Sequence, residues 1–490
     1  MGFSTIELLL AMAIAILVMS AVLMTVGVDQ TTVTDSEINA EALHKAQDLV
    51  EAAAATARTN YASVAPVPLA IETSGGLQYT KSLAIPTAHV GPCSEIIVGT
   101  VSWTGTYSRS LSVSATTTVV NMPEVFKFGG DCSIGNGDGW TKPRRFASYK
   151  FNPGQPTSVD VLNRIVYMPD NFGNLNIADT SGATFGFTTG TFVSPTFNVG
   201  VDVNDIDVAI QSGTGKKYAY VARNDASDQF QVIDVSNINS PSSVVTMPLA
   251  GVNPLNAFAQ GWRIFYYDNH VYVATRYTNG GPEFHIFDVS APASSFEIGG
   301  GTVVGTSVYG IAVRDQFVGG STHRFAYLVT THDDKEVIVL DITNPSAVIP
   351  LTAAYTNIPG NKDGRSIYMV GNRIYVGLES GSGEELYVLD ATDPLSATAG
   401  LPILGKAEIG AGASVNAIRV SGSLAFLATT KTNDEFQVWN ISNPSATITR
   451  VDTSPYNIPN NISKGIDFEA PYIYAASQAN DPLQILYSAP

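Results

Sequence analysis

The chain has 490 residues, two cysteines and a formal net charge of −17. That length exceeds one ordinary hydrophobic core and predicts two or three domains. The acidic balance, with a pI near 4.7, excludes nucleic acid as a partner, because no Lys/Arg cluster is present to neutralise phosphates.

The first predicted element begins at Phe3. From Phe3 to Val28 the run is almost wholly apolar; as a helix rising ~1.5 Å per residue it covers roughly 39 Å, more than a ~30 Å bilayer core. Its one ionisable residue is Glu7, and a carboxylate in such a segment is costly unless something pairs with it. Gly2, Phe3 and Glu7, ahead of an unbroken apolar helix, resemble the start of type IV pilins and the related type II secretion pseudopilins. The resemblance implies a short prepilin leader at residues 1–2, cut by a membrane peptidase between Gly2 and Phe3. It also implies methylation of the new N-terminal Phe3, and pairing of Glu7 with a neighbouring subunit's terminal amine. A cleaved secretory signal fits poorly, since nothing basic precedes the core and the apolar run is too long. A plain membrane anchor is the alternative.

After Val28 the sequence turns amphipathic. Val33, Ile38, Leu43, Ala46, Leu49, Val50 and Ala53 recur at helical spacing, with Asp35, Glu37, Glu41, Lys45 and Asp48 between them. One long helix is expected over residues 3–60, with 3–28 in the membrane or filament core and the second half on a small sheet. From Tyr61 to residue 144 short strand-like pieces split by Gly and Pro resemble a pilin β head. Within it, Cys93 and Cys132 are an even pair in a chain bound across the membrane. One disulfide is expected, worth about 3 to 4 kcal/mol by loop closure, and two buried thiols are the alternative. The segment GGDCSIGNGDGW offers Asp131, Asn136 and Asp138 as Ca²⁺ ligands. It lacks EF-hand spacing and reads more simply as a glycine-rich connector.

Beyond Tyr149 the chain repeats itself. Six segments end alike, from LNIADTS at Ser181 through FQVIDVS, FHIFDVS, VIVLDIT and LYVLDAT to FQVWNIS at Ser442, and LQILYSA closes the chain. The aligned positions Asp179, Asp234, Asp288, Asp341, Asp390, Asn440 and Tyr487 lie about 47 to 55 residues apart, a propeller-blade period. A second strand upstream carries Tyr167, Tyr220, Tyr272, Tyr327, Tyr375, Phe426 or Tyr474, and a third precedes it. With a looser fourth strand after each ending, seven units predict a seven-bladed β-propeller. The units resemble the LVIVD repeat family of surface propellers. The last unit stops after its third strand, and Arg145 to Phe151 has the composition to supply the missing one.

Loops between second and third strands are acidic or polar, as at Arg223, Thr331, Glu379, Lys431 and Gln478. They are expected on one rim of the disc, either as a cation-binding or basic-surface-binding face or as solvated Asn/Asp turns. His270, His285, His323 and His332 show no metal-ligand spacing, and no nucleophile elbow or phosphate loop is present. The repeated Tyr and Asp positions read as packing and turn chemistry.

The expected fold is therefore α+β then all-β: a long N-terminal pilin helix with a small β head over 61–144, followed by a seven-bladed β-propeller over 145–490. The expected function is a non-enzymatic structural subunit of a type IV pilus-like filament. It would polymerise with identical or related pilin subunits, served by a prepilin peptidase and the pilus assembly machinery, and display the propeller to an unknown surface ligand. Its precursor would sit in the cytoplasmic membrane and its mature form outside the cell, with no cofactor. The alternative is an anchored or pseudopilin-type surface propeller that binds or converts a substrate.

Overall fold

The structure is a computed structural model. It describes residues 33–59, 67–84, 94–105, 109–120, 140–151, 154–192, 196–211, 214–256, 258–445, 448–458, 463–478 and 481–488. These fall into two compact units, one within 33–120 and one within 140–488.

The first unit is one helix, α1 (Val33–Thr59), and a four-stranded antiparallel sheet of β1 (Val67–Ser74), β2 (Leu77–Ala84), β3 (Ser94–Thr104) and β4 (Ser110–Val120). Ala42, Ala46, Val50 and Ala53 form a narrow stripe at helical spacing and bury against Tyr79, Ile97, Val101, Trp103 and Val119 of the sheet. Small residues let the helix approach closely. A Cβ at Gly99 would lie 2.8 Å from the Ala46 carbonyl oxygen, so glycine is required there. Beside the stripe, Lys45 Nζ donates to Glu72 at 2.5 Å and Lys81 pairs with the same carboxylate. The Lys45 bond first, then Lys81, holds the Glu72 carboxyl down at about 2.

These observations correct the expected fold class. The described helix is 27 residues long, no helix among the described residues is long and apolar enough to cross a membrane, and the remainder is built almost entirely of strands. The long pilin helix over 3–60 is therefore not the fold's organising element; the β-sheets are. The physical reason lies in the charges of Glu41, Lys45, Asp48 and Glu51, which leave α1 an apolar stripe suited to one sheet face rather than a lipid-compatible surface.

The second unit is a ring of seven antiparallel sheets. Their innermost strands are Asp160–Leu162, Val203–Ile210, Gly261–Tyr267, Val308–Val318, Gly364–Val370, Val415–Ser421 and Ser463–Glu469, here blades 1 to 7. Each inner strand lies beside the next, and that of blade 7 touches that of blade 1. The ring is closed. In blades 2 to 6 the four strands follow one another outward in chain order, joined by tight hairpins such as Asp268–Asn269 and Gly319–Gly320, both residues of each pair at positive φ.

Blade 7 is completed by β5 (Pro143–Lys150), which pairs antiparallel with Leu483–Ser488 in a register that sets Ala147 opposite Ile485. The strand expected near Arg145 to Phe151 thus fastens the first residues of the ring to the last, removing an open edge. A fifth strand, Phe187–Phe192, leaves blade 1 and pairs parallel to β5. Between blades the core is continuous: Tyr167, Tyr220, Tyr272, Tyr327, Tyr375, Phe426 and Tyr474 are all fully buried. Ring contacts such as Tyr220 on Tyr266 (5.2 Å, stacked) and Phe230 on Phe287 (4.6 Å) join one blade to the next.

Candidate functional site

The inner strands share a local irregularity that builds the central channel. In blades 2 to 7 the pairing to the second strand slips at one place, between Val203 and Asp205, Gly261 and Arg263, Val308 and Gly310, Gly364 and Ser366, Val415 and Ala417, and Ser463 and Gly465. The extra residues are Asn204, Trp262, Tyr309, Arg365, Asn416 and Lys464. A bulge bends its strand and re-aims its side chains. Repeated around a ring, it gathers one variable position per blade at one end of the channel. The channel holds a cavity of about 270 Å³ lined by Asp160, Asp205, Asp207, Arg263, Tyr309, Arg365, Tyr368, Arg419 and Asp467, among others.

The carboxylates in it join neighbouring blades. Asp160 Oδ2 accepts from the Val208 amide at 2.5 Å, Asp205 from Ile264 at 3.2 Å, Asp207 from Tyr266 at 2.7 Å and Asp467 from Val161 at 2.8 Å. Between adjacent blades as well, Arg263 Nε donates to the Tyr309 carbonyl (2.8 Å) and Arg419 Nε to Asp467 (2.7 Å). Burial, and then the charges of Asp467 and Asp207, push the Asp160 carboxyl well above its usual range. Burial also pushes Asp207 up to about 7, with the Tyr266 amide opposing and Asp205 adding. Burial opposes the charge on Arg419, but the Asp467 carboxylate beside it wins and the guanidinium is held above its ordinary value. The interior of the channel is thus spent on holding the ring together.

At the bulged end of the channel the chemistry changes. The Arg276 guanidinium lies 4.4 Å from the Phe258 ring centre and 5.3 Å from that of Trp262. Trp262 meets Tyr309 edge-on at 5.6 Å, and Arg365 lies 5.4 Å over Tyr309 while pairing with Glu379. Trp262 Nε1, Arg276 Nε and Arg365 Nε are buried with no hydrogen-bond partner.

The acidic loops do share one end of their blades, as each joins a second strand to a third. Part of their charge is met locally: Asp225 by Arg223 (3.7 Å), Glu384 by Lys406 (2.9 Å), Glu379 by Arg365, and Asp434 by Arg450 (2.5 Å). No group of three or more His, Cys, Asp or Glu among the described residues is placed to hold a metal. Turn chemistry accounts for the repeated aspartates, since Asp179, Asp234, Asp288, Asp341 and Asp390 each accept from the amide two residues on at 2.8 to 2.9 Å. His285 is fully buried between Glu297 and the Pro282 carbonyl. Ser321 Oγ lies 2.8 Å from His323 Nε2, and His323 Nδ1 2.9 Å from Asp341, the bond order of a nucleophile, base and orienter. Ser321, however, is exposed on a hairpin outside the channel cavity, and Asp341 also binds Thr343, so the chain of bonds serves the turn.

Gly2, Phe3 and Glu7, the cysteines Cys93 and Cys132, and Asp131, Asn136 and Asp138 all lie outside the described residues. Sequence reasoning missed two features. One is the bulged position, whose signal was the variable residue two before the repeated inner-strand Ile in NDI, WRI, YGI, RSI and NAI. The other is a buried acid at the start of the third strand: Glu283, Glu336, Glu385 and Glu435 are fully buried, with Gln229 in their place in blade 2. Each accepts from the backbone entering the next blade, as Glu336 does from Ile358 at 2.7 Å and Glu435 from Ile458 at 3.0 Å. The repeated EF, EV and EL pairs before the LVIVD-like core carried that signal.

Compared with known proteins, residues 207–247 match the LVIVD repeat, the stretch from the inner strand of blade 2 to its outer strand. A search of curated proteins found no match. Among solved structures, the chain is similar to the computationally designed Ika8 protein at 10% identity and a TM-score of 0.43, covering 70% of this chain and 99% of that one. The repeat match and the ring of four-stranded antiparallel sheets agree on a β-propeller-like repeat fold.

Proposed function

We propose that this chain is a subunit of an extracellular, pilus-like filament that displays a propeller-like binding module. The observation that carries the reading is Glu7, a single carboxylate within an apolar run that follows Gly2 and Phe3. An apolar segment that only anchors a protein has no use for that charge. A segment that must meet a neighbour's terminal amine in register does, because a buried amine and carboxylate satisfy each other only when correctly paired. The charges of the ring's channel are largely engaged in joining blades, which favours a binding role over catalysis. The partners are copies of this or related subunits, with processing between Gly2 and Phe3 by a membrane peptidase.

The test is Glu7→Ala in cells. Filament incorporation is expected to fall by at least tenfold while the ring stays folded, and sheared wild-type material should yield an N-terminal peptide beginning at N-methylated Phe3. Unaltered filaments in the variant, or an intact Met1 found only in membranes, would refute the assembly role.

A further inference from the structure

We infer that the bulged end of the channel, across blades 3 to 5, binds a sugar bearing a carboxylate. This rests on the ring acting as a binding module and names what it binds. The Phe258, Arg276, Trp262, Tyr309 and Arg365 side chains form one row of three rings and two guanidiniums, at successive distances of 4.4, 5.3, 5.6 and 5.4 Å. Blade 3 supplies Arg276 from the same loop in which blades 2, 4, 5 and 6 carry acidic residues. Among the described residues no carboxylate pairs with it, whereas Arg365 pairs with Glu379. Sandwiched between Phe258 and Trp262, the Arg276 fork is held in one orientation, which lowers the entropy lost on binding. Phe258 is 43% exposed and the neighbouring Tyr277 42%, so apolar ring surface is open beside it.

Three features of the row select the ligand. Trp262 Nε1, Arg276 Nε and Arg365 Nε are enclosed and out of a ligand's reach; the group left to be met is the Arg276 charge, so the ligand brings an anionic oxygen. The open aromatic surface takes a C–H face, which a pyranose ring presents. A planar guanidinium matches a carboxylate with two parallel bonds. A uronic acid residue meets all three at once. An Asp/Glu peptide meets the first and third but has no comparable C–H face for the open rings. The net charge of −17 disfavours a densely charged polyanion. It leaves a carboxylate on an otherwise neutral glycan as the best match.

The test uses the full chain, as sheared filaments or in detergent, and isothermal titration with a glucose–glucuronate tetrasaccharide. The all-glucose tetrasaccharide and an Asp/Glu tetrapeptide serve as comparisons. The acidic sugar should bind at least about tenfold more tightly than either, a difference of ~1.4 kcal/mol. R276Q should lose about that factor, while R276K, which retains the charge, keeps part of the affinity and shows the loop is intact. Equal binding of the neutral and acidic sugars, tighter binding of the peptide, or wild-type affinity in R276Q would overturn the inference. Filaments that form but do not bind sugar refute this inference alone; sugar binding by a chain that forms no filaments refutes the filament reading alone.

Discussion

Replacing Glu336 by glutamine is expected to stabilise the ring at pH 8 and not at pH 4. Glu336 is fully buried at the start of the third strand of blade 4, where its Oε2 accepts from the Ile358 amide at 2.7 Å and its Oε1 has no partner. Its counterpart in blade 5, Glu385, is met by Lys362 at 3.0 Å. Without such a cation, burial pushes the Glu336 carboxyl up to about 7 from an ordinary 4.5, with the Ile358 amide opposing and Asp333 and Asp334 adding. Below about pH 4.5 the group is protonated whether the chain is folded or not, and it costs nothing. Between 4.5 and 7 the unfolded chain releases its proton first, so stability falls as pH rises; above 7 the penalty is constant. That gap corresponds to about 3 kcal/mol. Glutamine fits the position, because Gln229 fills it in blade 2, accepting from Leu249 at 2.9 Å and donating to the Ala226 and Ala259 carbonyls. If its amide found no acceptor at 336, about 1 kcal/mol would be lost at every pH. Urea unfolding followed by tryptophan fluorescence should therefore show the variant gaining about 3 kcal/mol more at pH 8 than at pH 4, relative to the wild type. Equal effects at the two pH values, within about 0.5 kcal/mol, would refute the account.

Glu385→Gln should act in the opposite direction. It leaves the Lys362 ammonium, only 2% exposed, without its counter-charge, and the cost is expected at about 3 to 5 kcal/mol at pH 7. Addition of Lys362→Met should recover most of it in the same urea assay, and a double variant no more stable than the single one would count against the pair. Ala147→Pro tests the closing strand. Ala147 is fully buried and pairs with Ile485 on one side and Phe187 on the other, so proline must break a ladder bond and should cost ~3 kcal/mol or more. An unchanged melting temperature would show that β5 does not hold the ring.

Residues that repeat were legible because each repetition is an independent sample of one local rule. The Asp-x-Ser/Thr endings were readable as turns, and proved so at Asp234 and Asp390; the tyrosines were readable as core, and Tyr220 and Tyr375 are buried. The strand near Arg145 was legible for a different reason, as a unit short of one strand demands a partner from elsewhere. The weight given to the helix was misjudged because a periodicity argument reads spacing and not the surface against which a helix packs, and among the described residues the helix of Val33–Thr59 serves one sheet while strands build the rest. The row from Phe258 to Arg365 was invisible in the chain. Its members are separated by up to about a hundred residues and carry no common motif.

What the chain determined by itself is the number of blades, their strand order and the residue types that pack and turn them, since these follow from alternation, spacing and local hydrogen-bonding preference. What only the tertiary structure decided is which charges meet. Asp467 reaches Val161 across the join between the last blade and the first, Lys362 reaches Glu385, and among the described residues no equivalent cation pairs with Glu336. Coulombic and hydrogen-bond energies depend on distances set by ring closure, so the same glutamate written four times in one sequence becomes a satisfied anchor in blade 5 and a strained acid in blade 4.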